Sequence, residues 1–68
     1  MRLYDNVEQT ISEWSRVLMA RYGVRFRKYS NNKETLERWS EGLTKIYGKP
    51  FQIKANQSET LNDWSKLF

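Results

Sequence analysis

Cysteine and histidine are both absent from the 68 residues, and the chain has only one proline and three glycines. Without thiols no disulfide can staple so small a chain, and the compartment cannot be read from redox chemistry. Without imidazole or thiolate ligands a zinc site is close to excluded, because carboxylates alone rarely build one. The usual base for activating a serine nucleophile is missing as well. No apolar run approaches the ~20 residues needed to span a bilayer. The opening Met1, Arg2, Leu3, Tyr4 and Asp5 lacks the apolar stretch of a signal peptide, which predicts a cytoplasmic protein with no membrane partner. There is no glycine-rich phosphate loop, each glycine being expected alone at a helix end.

Aromatic residues, by contrast, are plentiful. Three Trp, four Tyr and three Phe in so short a chain point to a folded core and not to disorder. Shifted against itself by 25 residues, the sequence matches at 16 of 43 positions. Ordinary amino-acid usage would give roughly three. The matches include Arg2/Arg27, Tyr4/Tyr29, Asn6/Asn31/Asn56, Thr10/Thr35/Thr60, Trp14/Trp39/Trp64, Ser15/Ser40/Ser65, Tyr22/Tyr47 and Phe26/Phe51. Such a period marks a supersecondary unit that buries its apolar side against its neighbours. The chain therefore reads as a single domain of three tandem units, 1–22, 23–47 and a truncated 48–68.

Each unit divides into two parts. Asn6, Asn31 and Asn56 are each followed three residues on by Gln or Glu, the spacing of a capping box that opens a helix. Gly23 and Gly48 supply the stop, and Pro50 reinforces the second. Between these signals apolar residues fall at helical spacing around each tryptophan: Val7, Ile11, Trp14, Leu18 and Tyr22, then Leu36, Trp39 and Leu43, then Leu61, Trp64 and Leu67. The segments ahead of the helices alternate instead. Met1 and Leu3, Val24 and Phe26, and Phe51, Ile53 and Ala55 hold one parity; Arg2 and Tyr4, Arg25, Arg27 and Tyr29, and Gln52 and Lys54 hold the other. Alternation of this kind predicts half-buried strands. The expected fold class is α/β, three strand–helix repeats in the order β-α-β-α-β-α. Right-handed crossovers would place all three helices on one face of a small parallel sheet. The alternative is a three-helix domain with extended linkers.

Charge is distributed unevenly between the two parts. The extended segments carry Arg2, Arg25, Arg27, Lys28, Lys49 and Lys54 against Asp5 alone, whereas six basic residues in the helices are outnumbered by seven acidic ones. On a sheet, Arg2, Arg27 and Gln52 would form one outward row and Tyr4, Tyr29 and Lys54 the next. With Arg25, these seven residues make the candidate nucleic-acid face: cations for phosphates and tyrosine rings on which unpaired bases stack. Single-stranded DNA or RNA is the expected partner of this reading. The alternatives are a protein-binding regulator or inhibitor that docks on an acidic surface, and a self-associating homo-oligomer. The tryptophans are expected in the core. Glu34, Glu37 and Glu41 interleave with Lys33, Arg38 and Lys45 as a solvated helix face with local ion pairs. No catalytic constellation emerges, so a non-enzyme without cofactor or metal is expected.

Overall fold

A computed structural model of residues 1–68 contains three α-helices, α1 (Val7–Tyr22), α2 (Asn32–Tyr47) and α3 (Gln57–Leu67), with a single 3-10 turn at Val24–Phe26. There is no strand and no sheet. The α/β expectation is thereby corrected, and the fold is the all-helical alternative with extended linkers. No helix is long and apolar enough to cross a membrane.

The helices start where the asparagines require. The side chains of Asn6, Asn31 and Asn56 accept hydrogen bonds from the backbone N–H of Gln9, Glu34 and Glu59 at 2.8, 2.8 and 2.7 Å. Each satisfies a first-turn donor that has no partner within its helix. α1 ends at Gly23, whose φ of 108° and ψ of −176° suit glycine alone.

The sheet is absent because the extended segments find their hydrogen-bond partners on the helices. Buried backbone polar groups must be paired, and three pairs of side chains meet that need at 25-residue spacing. The backbone N–H groups of Tyr4, Tyr29 and Lys54 donate to the hydroxyls of Thr10, Thr35 and Thr60 at 3.1, 2.9 and 2.9 Å. Those hydroxyls donate in turn to the carbonyls of Asn6, Asn31 and Asn56. The indole N–H groups of Trp14, Trp39 and Trp64 donate to the carbonyls of Arg2, Arg27 and Gln52 at 2.8, 3.1 and 3.0 Å. Each segment thus lies across the helix that follows it, its anchored N–H and carbonyl bonded to that helix and not to a neighbouring strand. The inward parity holds at Phe26 and Phe51, which are buried, and fails at three other apolar positions. Leu3 and Ile53, expected inward, are 41% and 44% exposed, and Val24 is 75% exposed.

Ten apolar side chains make one core: Ile11, Trp14, Leu18, Phe26, Leu36, Trp39, Leu43, Phe51, Leu61 and Trp64. The three tryptophans are buried, as the stripe spacing predicts. The segments also touch the preceding helix. Lys28 reaches Glu8 and Ser12 of α1, the Phe51 carbonyl accepts from Ser40 and its N–H donates to Thr44 of α2, and residues 3–7 border one surface cavity with Ser58 and Leu61 of α3. The first segment borders the third helix, and α1 packs against α3. Phe68 packs against Trp14, Tyr47 and Phe51 with ring centroids 5.4, 5.8 and 5.6 Å apart. The hydroxyls of Tyr22 and Tyr47 meet at 3.1 Å, a bond that holds the Tyr47 pKa above the ordinary tyrosine value.

Gly42 is not at a helix end. It lies buried within α2 beneath the Phe26 ring, and a Cβ there would stand 2.7 Å from Phe26 Cζ. The ring is wholly buried and has no room to swing away. Gly42→Ala should therefore destabilise the protein by about 1 kcal/mol, overpacking of about 1–3 kcal/mol outweighing the helix-propensity gain of about 1 kcal/mol. Thr35→Val, which leaves the Tyr29 N–H without an acceptor, should cost about 1–3 kcal/mol. Asn31→Ala should cost about 1 kcal/mol. Urea denaturation followed by tryptophan fluorescence checks all three, and an unchanged midpoint for Thr35→Val would contradict the anchoring described above.

Candidate interaction surface

With no sheet, the seven residues of the expected basic face are held by the anchors just described. Arg2 and Arg27 each expose a guanidinium while their carbonyls are bound by an indole. Those guanidinium groups lie over rings of their own chain, Arg2 at 5.0 Å from the Tyr4 centroid and Arg27 at 4.2 Å from that of Tyr29. Tyr4 and Tyr29 are half-buried and pack against the core. The Tyr29 hydroxyl donates to the Arg25 carbonyl at 2.8 Å. In the third unit Gln52 is exposed and Lys54 Nζ lies 3.5 Å from Asp63. The outward rows Arg2–Arg27–Gln52 and Tyr4–Tyr29–Lys54 do not form, because the segments carrying them lie over different helices.

One group of these residues does come together. Arg25, Arg27 and Tyr29 share the loop between α1 and α2, and Arg38 of α2 adds a second guanidinium 5.7 Å from the Tyr29 centroid. Arg38 also pairs with Glu34 at 3.7 Å, both on the exposed side of α2. Arg25 lies over Gly42, its Nε 3.5 Å from where a Cβ would be. Val24 precedes Arg25 and is the most exposed large apolar residue. Three guanidinium groups, a half-buried tyrosine and a bare valine thus occupy one loop and the helix beside it. An exposed cation–π contact contributes about 0.5–1 kcal/mol, enough to bias the guanidinium orientation; Arg27 Nη1 also donates to the Lys28 carbonyl at 3.3 Å, and the remaining N–H groups of that guanidinium point to no partner in the chain.

Arg38 and Val24 were not among the expected site residues. Arg38 belongs to a helix read as a solvated face, and only the folding of the Tyr29 segment back onto that helix joins them. A usable signal was the threefold recurrence of Thr10, Thr35 and Thr60 on the apolar side of the helices, which marks where each segment is tied.

Lys28 shares the parity of Val24 and Phe26, which on a sheet would face inward. It instead bridges to the preceding helix, with Nζ 2.6 Å from Glu8 Oε1 and 3.2 Å from Ser12 Oγ. Asn32 Nδ2 donates to the other Glu8 oxygen at 3.0 Å. The hydrogen bond from Lys28, then that from Asn32, hold the Glu8 carboxyl below the ordinary glutamate range. A carboxyl lowered in the folded state adds stability that is present above its unfolded pKa and fades as pH falls through the folded value. Lys28→Ala should return the Glu8 titration toward the ordinary range, as followed by side-chain carboxyl NMR. It should also flatten the loss of stability on acidification within that window. An unchanged Glu8 titration would contradict the clamp.

Comparison with protein-family models, with curated proteins and with solved structures finds no match to this chain.

Proposed function

We propose that this chain is a small protein-binding module that docks on an acidic surface of a larger partner, using the Arg25, Arg27 and Arg38 cluster around Tyr29 with Val24 beside it. The observation that carries this reading is the guanidinium stacked 4.2 Å over the half-buried Tyr29 ring. A base seeking that ring would have to displace the arginine, whereas a carboxylate can bind the same guanidinium where it stands. Arginine presents its N–H groups as a planar fork that matches carboxylate geometry, and stacking on an aromatic ring preorganises it. Tyrosine and arginine are among the residues enriched at interface centres, and an exposed apolar neighbour adds area that water leaves on docking.

The nucleic-acid reading has less support from the same geometry. It relied on a continuous row of cations and on open stacking platforms. Lys28 and Lys54 lie beside carboxylates of their own chain, and both tyrosines of the proposed face carry an arginine. What remains is a compact patch, smaller than the groove that tracks a single strand.

Affinity capture from cell lysate, run with and without nuclease, tests the proposal when wild type is compared with an Arg25→Ala/Arg27→Ala variant. A protein partner should be retained after nuclease and lost with the variant, whose circular dichroism should match wild type because both side chains are exposed. Capture that disappears with nuclease would favour nucleic acid instead. Capture unaffected by the double substitution would remove this patch from the interface.

A further inference from the structure

The first unit carries a second arrangement of the kind found at Tyr29. Arg2 stands over Tyr4 as Arg27 stands over Tyr29, and the same two bonds hold each pair. The tyrosine N–H is taken by Thr10 or Thr35, and the arginine carbonyl is taken by Trp14 or Trp39. Leu3, exposed beside Arg2, gives this site an apolar neighbour of its own. The third unit has Gln52 and Lys54 at the corresponding positions, so the arrangement occurs twice and not three times.

The two sites differ in the helix residue that faces the tyrosine position. In the second unit this is Arg38, over Tyr29, and in the third it is Asp63, beside Lys54. The same register assigns Glu13 to the first unit, where its carboxylate lies 3.9 Å from Arg16 and only Arg2 stands over the Tyr4 ring. One site thus has a second cation at its ring where the other has none, and the helix position in that register is acidic in the first unit.

We infer that Arg2 and Tyr4 form a second, weaker docking point for the same class of acidic polypeptide segment, so that one molecule engages two such segments, with the residue at position 13 or 38 setting the strength of each. This rests on the reading of the Tyr29 cluster as a docking point for acidic protein surface. Exchanging an exposed attractive charge for a repulsive one changes affinity on the order of tenfold. Two weak points on one small protein act together when a partner offers two acidic segments within reach.

The indole N–H signals of Trp14 and Trp39 report the two sites separately, since each is bonded to the carbonyl of the arginine concerned. Titration with an acetylated, amidated hexaglutamate peptide at low salt, followed by NMR, should move the Trp39 signal first. The Trp14 signal should follow at roughly tenfold higher peptide concentration. Glu13→Arg should bring the Trp14 curve toward that of Trp39, and Arg2→Ala should abolish the Trp14 response alone. A saturable Trp39 shift that Arg27→Ala removes, with Trp14 unmoved in both wild type and Glu13→Arg, would overturn the second site and leave the first standing. Absence of a shift at either indole would overturn both.

Discussion

A threonine hydroxyl and a tryptophan indole tie each extended segment to the helix that follows it. An extended chain exposes an N–H and a carbonyl at every residue, and those it buries need partners. In a sheet the partners come from a neighbouring strand. Here Thr10, Thr35 and Thr60 supply the acceptors, and Trp14, Trp39 and Trp64 supply the donors. No buried side-chain nitrogen or oxygen is left without a partner. The same tryptophans fill the core, so each indole contributes apolar area and a hydrogen bond at one position. A chain this small has little core to spare, and placing both tasks on one side chain limits how much core the extended segments require.

The surface chemistry follows from those ties. Fixing the Arg27 carbonyl and the Tyr29 N–H leaves the two side chains on the outer side of the segment, close enough to stack. The segment lies on α2, which brings Arg38 to the same ring. The first unit repeats this with Arg2 and Tyr4, while the third replaces both residues and keeps the ties. Anchors recur in all three units, whereas the stacked arginine–tyrosine pair occurs in two, so the scaffold is common and the surface chemistry varies between units. Gly42 shows the same division within the core, where one unit accommodates a ring by having no side chain.

How much of this could be read from the sequence depended on the range of each signal. Helix starts at Asn6, Asn31 and Asn56 were legible because a cap and its acceptor geometry lie within four residues. The tryptophan stripe was legible because helical spacing identifies a buried side. The sheet was misread because alternation over five to seven residues reports an extended chain without reporting what pairs with it. An extended segment lying on a helix gives the same pattern until its bonding partners are known. The grouping of Arg25, Arg27 and Tyr29 was partly legible from their closeness in the chain. The addition of Arg38 was not, because it depends on the segment folding back over α2. Gly42, expected at a helix end with the other glycines, was misplaced because its role is set by Phe26, sixteen residues away.

Native-state amide hydrogen exchange tests the anchoring most directly, because it reads the bonds of the extended segments one residue at a time. The N–H groups of Tyr4, Tyr29 and Lys54 donate to threonine hydroxyls, whereas those of Leu3, Lys28 and Ile53 have no partner within the chain. The account predicts slow exchange at Tyr4, Tyr29 and Lys54 and fast exchange at the residue immediately before each. Protection at Arg2 and Gln52 in step with Tyr4 and Lys54, N–H groups that have no partner here, would indicate strand pairing, and fast exchange at all three anchored positions would show that the segments are not held. Either result would contradict the account.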